Sequence, residues 1–193
     1  MPTPLNVENQ RFVFGDRWTV AFKYDDTHFH QEEATKLQGT IDSVSHSTKA
    51  VDVIGLHKVS GLLLLEAKDF RGHRIANKQR IEKKEVSVEV AVKVRDTVAG
   101  LLGAARKPVT EFPSVELAAA LEQGKKVAVV LWLEDDTFHN VDRAKQTLSA
   151  LNGVLKSKLS WLNVQTFVLS SAVPNLLNDL TVTNLLGAGQ PNP

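Results

Sequence analysis

The stretch Ala50-Val51-Asp52-Val53-Ile54-Gly55-Leu56, then His57-Lys58-Val59-Ser60, then Gly61-Leu62-Leu63-Leu64-Leu65-Glu66-Ala67-Lys68 decides how this chain is built. Two apolar runs, the first β-branched and the second leucine-rich, are joined by a short polar link and read as an antiparallel hairpin. The unbroken leucines predict burial on both faces, hence a central strand. Three polar residues interrupt these runs: Asp52, Glu66 and Lys68. Side chains alternate along a strand, so Glu66 and Lys68 share a face. A link centred near Val59 places Asp52 opposite Glu66, with Cβ atoms ~4.5 to 5.5 Å apart.

Working outward, residues 1–10, with Pro2 and Pro4, read as a loose arm. Residues 11–15 and 18–24 read as a short hairpin about Gly15-Asp16. Asp25-Asp26-Thr27 is expected to cap a short helix through about Gln38, stopped by Gly39. Beyond the hairpin, residues 70–84 carry Arg71, His73, Arg74, Lys78, Arg80, Lys83 and Lys84, a solvated loop or short basic helix. Ala91, Val94, Val98, Leu101 and Ala105 recur at helical spacing and predict a helix over 86–105. Ser114 would cap a short helix to Gln123, ended by Gly124. A strand follows over 126–134, an amphipathic helix over 141–159 and a last strand over 165–169. Pro174 onward reads as short helix or coil, ending in a flexible tail over 187–193. This order predicts one α/β domain over residues 1–193, a mixed central β-sheet flanked by helices.

The 193 residues fit one compact domain, and 42 % apolar with 23 % charged residues is a globular composition. There is no cysteine, which removes disulfides, zinc–cysteine sites and thiol catalysis. No apolar run approaches the ~18 to 20 residues of a membrane helix, so no membrane association is expected. The first eight residues lack the basic start and apolar core of a secretory signal, and a cytoplasmic location is expected. A net charge of +1 gives no support to a tight non-specific nucleic-acid binder. No GxxxxGK[ST], GxGxxG or GxSxG motif occurs, which removes the sequence basis for nucleotide motors, dinucleotide enzymes and serine hydrolases.

Two carboxylates face to face on central strands repel, and burial sharpens the repulsion. Such a pair needs a proton or a cation between them. A hard divalent ion such as Mg²⁺ accepts carboxylate oxygens, a backbone carbonyl and waters. Lys68, two residues on, could hold a water beside the ion or help deprotonate it. These parts match metal-assisted phosphodiester hydrolysis; the alternative is a salt-bridged cluster at a strand end.

Val51-Asp52 followed by Glu66-Ala67-Lys68 at the end of a leucine strand resembles the PD-(D/E)xK nuclease signature, with Val51 where that signature has proline. The resemblance implies a restriction-endonuclease-like core, with the acid on one strand and the (D/E)xK triplet on its hairpin partner. It implies that Asp52, Glu66 and the Ala67 carbonyl hold Mg²⁺ or Mn²⁺, and that Lys68 is the catalytic lysine. A further acid from the first core helix is often present in the family; Glu32 or Glu33 could supply it. The helix after the triplet often adds a polar residue, for which Lys93, Arg95 and Asp96 are candidates, against a plain surface ion pair. Arg71, His73, Arg74, Lys93 and Arg95 are the candidate nucleic-acid contacts. The expected activity is metal-dependent cleavage of DNA, with RNA second and a homodimer left open. The alternatives are a catalytically inactive binding or regulatory module of the same fold and a hydrolase of some non-nucleic phosphate. Asp69 should face away from Glu66 and be structural. His28 and His30 read as a surface pair, His46 and His57 as solvent-facing, and Trp18, Trp132 and Trp161 as core.

Overall fold

A computed structural model describes residues 3–34, 48–107, 109–122, 124–173, 177 and 179–185, with the side chain of Arg74 outside that set. The hairpin is present as β4 (Val53–His57) and β5 (Gly61–Asp69). Val53 pairs with Leu65 and Ile54 with Leu64, and continuing that register brings Asp52 opposite Glu66. The five-stranded sheet has the order β3-β4-β5-β6-β7, with β3 at Trp18–Lys23, β6 at Val127–Glu134 and β7 at Gln165–Leu169. β3, β4 and β5 are antiparallel, whereas β6 and β7 add in parallel, so the sheet is mixed with β5 at its centre.

The turn at the hairpin tip is fixed by two residues. Gly61 sits at φ +82°, a conformation L side chains rarely adopt. His57 was expected in solvent but is buried, and its Nδ1 accepts from the amides of Val59 (3.1 Å) and Ser60 (2.9 Å).

Each face of β5 has its own cover. Leu62 and Leu64 face the helices α2 (Glu85–Arg106) and α4 (Val141–Lys158), whose buried stripes include Val90, Val94, Leu101, Leu148 and Leu155. Burying such an aliphatic side chain contributes roughly 1.5–3 kcal/mol, so the 3.6-residue spacing of these stripes holds the helices on the sheet. Leu63, Leu65 and Ala67 face Phe12, Phe14, Trp132 and Leu180 instead. Phe12, Phe14 and Leu180 belong to a second sheet of three strands, β1 (Thr3–Val7), β2 (Gln10–Phe14) and β8 (Leu180–Asn184), in the order β1-β2-β8.

That second sheet corrects three expectations. Of the expected arm over residues 1–10, the described part from residue 3 is not loose, because β1 pairs along its length with β2. Residues 11–15 and 18–24 do not form a hairpin: β2 joins the small sheet and β3 the large one. The chain changes sheets at Gly15–Arg17, where Asp179 accepts the Gly15 amide on its carbonyl and the Arg17 amide on its carboxylate, both at 2.9 Å. The segment after Pro174 was expected as helix or coil, yet residues 180–184 form β8. The central sheet therefore has helices on one face and a sheet on the other. Residues 187–193 lie outside the described set, as do His46, Gln38 and Gly39.

The smaller helices are α1 (Arg74–Glu82), within the basic stretch, and α3 (Ser114–Ala119), shorter than expected and with Pro113 rather than Ser114 at the cap position. The helix expected from Asp25 reduces to a π-helical turn over Phe29–Ala34, whose first amides are held by Thr27 Oγ1 and the Glu111 carboxylate. His30 is buried beside Tyr24, so the expected surface pair is not formed, while Trp161 is exposed rather than core. No helix among the described residues is long and apolar enough to cross a membrane.

Candidate active site

The end of β5 carries Glu66 and Lys68 on its helix-facing side, and the bend before β4 brings in Asp52. Glu66 is wholly inaccessible and Asp52 is 7 % exposed. Asp52 is fixed at three atoms: Oδ2 accepts the Ala67 amide at 2.8 Å, its carbonyl accepts the Tyr24 amide at 2.9 Å, and Oδ1 faces Lys93 at 3.5 Å. Lys68 Nζ lies 2.7 Å from Glu66 Oε1.

The cation that the facing carboxylates require is supplied from α2. Lys93 Nζ lies 2.6 Å from Glu66 Oε1 and so joins both acids. Four residues earlier on α2, Glu89 reaches the same site: its Oε1 lies 3.6 Å from Lys68 and its Oε2 lies 2.7 Å from Arg80 of α1. Arg80 also donates to Asn77 Oδ1 at 2.8 Å and lies 5.3 Å from the centre of the Phe70 ring. An ordered chain thus runs from Asp52 through Lys93, Glu66, Lys68 and Glu89 to Arg80.

The protonation energetics follow from that crowding. Burial first, then Asp52, pushes the Glu66 carboxyl up to about 7, against the pull of Lys93 and Lys68. Burial works to lower the Lys68 ammonium, but Glu66 and Glu89 outweigh it and hold the group above its ordinary value. Glu89 is also penalised by burial, yet Lys68 and Arg80 hold it below its ordinary value. Asp25 follows Tyr24 at the end of β3, and burial, then Asp52 and Asp26, raise it to about 6. Glu66 Oε2 and Asp25 Oδ1 are buried with no hydrogen-bond partner among the described residues.

The remaining candidates are placed as follows. Ala67 is fully buried on the small-sheet face, its amide spent on Asp52. Asp69 points away from Glu66, accepts from Asn9 at 2.9 Å and binds Arg71 through Nε and one terminal nitrogen at 2.8 and 2.7 Å. Arg71 is thereby drawn to the face opposite the acids. His73 is exposed just before α1, and Arg74 opens that helix. Arg95 is exposed and pairs with its neighbour Asp96 at 2.8 Å, the surface ion pair weighed from the sequence. Lys93 lies inside the acid cluster, not on the surface. Glu32 and Glu33 are exposed on the π turn, and Glu33 lies 4.0 Å from Lys107.

Sequence reasoning missed Glu89 and Asp25. Glu85, Glu89 and Lys93 recur every four residues along the border of the apolar stripe Val86, Val90 and Val94, a pattern that marks charged groups held at a helix–sheet margin. Asp25-Asp26-Thr27 together were read as a helix cap; of the three, Thr27 does that work on the His30 amide.

Among the described residues, no three His, Asp or Glu side chains are grouped closely enough to hold a metal ion unaided. The donor set nonetheless fits a hard divalent cation: every carboxylate atom on offer is an oxygen, and Glu66 Oε2 is buried without a partner. Asp52 and Glu66 would hold the ion, with the Ala67 carbonyl as the donor the resemblance implies and waters completing the shell. No family model, curated protein or solved structure matches this chain.

Proposed function

We propose that this protein is a Mg²⁺- or Mn²⁺-dependent nuclease with a restriction-endonuclease-like core, cleaving phosphodiester bonds of DNA in preference to RNA. The observation that carries the reading is the convergence of Asp52, Glu66 and Lys68 on one side of a central hairpin, with a buried carboxylate oxygen of Glu66 that has no partner among the described residues. Bound between the acids, a divalent ion would polarise the scissile phosphoryl group and lower the pKa of a coordinated water. The chain's own residues do the rest. Asp52 is locked by the Ala67 amide on Oδ2, so its Oδ1, 3.5 Å from Lys93, stays aimed at the gap between the acids. Lys68, held by Glu66 and Glu89, keeps a positive charge where it can orient the attacking water and offset charge on the phosphate. Glu66 is inaccessible and Asp52 only 7 % exposed, and contacts so far withdrawn from water are stronger than the same contacts in solvent.

A second reading has an observation of its own. Lys93 already stands between the two acids, so the cluster is charge-balanced without an added ion. This is what a catalytically inactive binding or regulatory module of the same fold would contain.

Incubation of the protein with Mg²⁺ or Mn²⁺ and single-stranded, duplex and branched DNA, or RNA, separates the two. The nuclease reading expects cleavage that is lost in Asp52→Ala and Glu66→Ala together with divalent-ion binding. In Lys68→Ala, ion binding is retained and cleavage is lost. Intact substrates throughout, with no ion bound by the wild type in calorimetry, leave the module reading.

A further inference from the structure

The fourteen residues from Arg71 to Lys84 hold six Lys and Arg against one acid, Glu82, a local charge of +5 in a chain of net charge +1. The rest of the protein is therefore net −4, and its cationic character is concentrated at α1. Two of these cations are used internally, Arg71 by Asp69 and Arg80 by Glu89. Others face outward: Lys78 is exposed with Glu82 no nearer than 3.8 Å, and Lys83 and His73 are exposed with no ion pair among the described residues.

On the same helix stands Ile75, 94 % exposed, the most exposed large apolar side chain among the described residues. A cleft of about 410 Å³ lies beside it, lined by Gly72, His73, Ala76 and Asp136. A second, of about 270 Å³, runs along the other half of α1, between Lys78, Ile81 and Lys84 on one wall and Phe138, Arg143 and Leu151 on the other. Of the acids at their edges, Asp136 accepts the Gly72 amide and Asp135 the Thr137 amide, while the exposed Glu82 has Lys78 at 3.8 Å. α1 is tied to the acid cluster by Arg80–Glu89–Lys68.

We propose that α1 and its two clefts are a docking surface for a nucleic-acid strand, with phosphates on the outward cations and Ile75 packed against a base. The proposal rests on the nuclease reading for its partner class and adds where the strand lies. Charge complementarity favours a polyanion. An exposed aliphatic side chain beside basic groups is what contacts with unstacked or kinked bases use. A membrane surface is disfavoured by the same helix: its other isoleucine, Ile81, packs against the core, and one exposed residue is no apolar face.

Fluorescence anisotropy with labelled single-stranded and duplex DNA of one sequence, in chelator so that nothing is cut, tests this. Lys78→Glu with Lys83→Glu is expected to weaken binding on the order of tenfold or more and to flatten its salt dependence between about 50 and about 200 mM. Ile75→Ala is expected to weaken binding severalfold with the salt dependence unchanged. All three positions are exposed, and unchanged thermal unfolding of the variants confirms intact folding. Wild-type affinity in the α1 variants, no DNA binding by the wild type, or binding only to phosphatidylserine vesicles each overturns the proposal. Binding that depends on α1 without cleavage in Mg²⁺ refutes the catalytic reading alone; cleavage indifferent to α1 refutes the docking surface alone.

Discussion

Raising the pH of the metal-free protein from about 5 to about 8 is expected to weaken the fold, and Glu66 sets the size of the effect. An ordinary glutamate releases its proton near 4.5, whereas buried Glu66 keeps its proton up to about 7. Between those values the native state binds more protons than the unfolded chain. The contribution is therefore complete below 4.5 and is lost as the pH rises through 7. At about 1.4 kcal/mol for each pH unit, the difference is about 3 kcal/mol. For a chain of this length that corresponds to a fall in Tm of about 6–12 °C. Asp25, raised from 3.8 to about 6, adds a slope of the same sign in a more acidic window. Urea unfolding across this range, in chelator and then in Mg²⁺, reads the effect. In chelator, Glu66→Gln should flatten the upper part of the slope, while Asp25→Asn should leave that part intact. In the nuclease reading, Mg²⁺ restores stability above pH 7, because the ion binds the ionised carboxylate of the native state alone. A Glu66→Gln protein whose stability falls with pH as steeply as its parent refutes the reasoning.

Lys93→Ala leaves Glu66 with one cation and should cost about 3–5 kcal/mol near neutral pH, read by urea unfolding; calorimetry should show tighter Mn²⁺ binding once the ammonium no longer competes. His57, lowered by burial and by Arg17 against the opposing pull of Asp179, must stay neutral to accept two amides, so its own contribution should be lost as the pH drops below 6.5, opposing the Glu66 and Asp25 slopes there; nitrogen NMR should find its proton on Nε2, and His57→Phe should steepen the net gain in stability on acidification. Gly61→Ala would force a Cβ against the Lys126 carbonyl at φ +82° and should lower stability by at least about 1–3 kcal/mol in thermal unfolding. Trp132→Phe removes a 2.9 Å hydrogen bond to buried Glu134 and should cost about 1–3 kcal/mol, measured the same way.

Local pattern made the hairpin and its register readable. Leucines on both faces demanded a central strand, and a three-residue tip left little choice of pairing, so the Asp52–Glu66 opposition followed from counting. The same logic placed Asp69 on the far face. The helices α2 and α4 were visible because a single apolar stripe at 3.6-residue spacing suffices to define them. The small sheet was not readable, because nothing local distinguishes a strand that turns back on its neighbour from one that joins a distant segment. Its strands β1, β2 and β8 come from opposite ends of the chain, and the sheet change at Gly15 depends on Asp179. His57 and Asp25 were misread for a related reason: each looked polar and peripheral until long-range packing gave one a turn to cap and the other a carboxylate neighbour. Lys93 was a candidate only because a family resemblance drew attention to its helix, and the acids it joins lie 27 and 41 positions away in sequence.

A buried acid elsewhere in the fold shows what a purely structural carboxylate looks like here. Glu134 is 3 % exposed, and both its oxygens are satisfied: Oε1 accepts from Trp132 Nε1 and the Ser171 amide, Oε2 from the hydroxyls of Ser170 and Ser171. Glu66 is buried more deeply and treated differently. Two ammoniums crowd onto Oε1 while Oε2 has no partner among the described residues. Stability does not account for that arrangement, since replacing a buried charge cluster by apolar groups is commonly neutral or stabilising by about 1–4 kcal/mol. A lysine can balance the charge of a carboxylate, but it does not fill a second oxygen it does not touch. An ion that draws on several oxygens at once does, and it would also offset the burial and, after it, the Asp52 repulsion that hold Glu66 near 7. The contrast between Glu134 and Glu66, one saturated by neutral donors and one half-paired with cations, is the physical reason to treat the hairpin acids as a site rather than as a salt bridge.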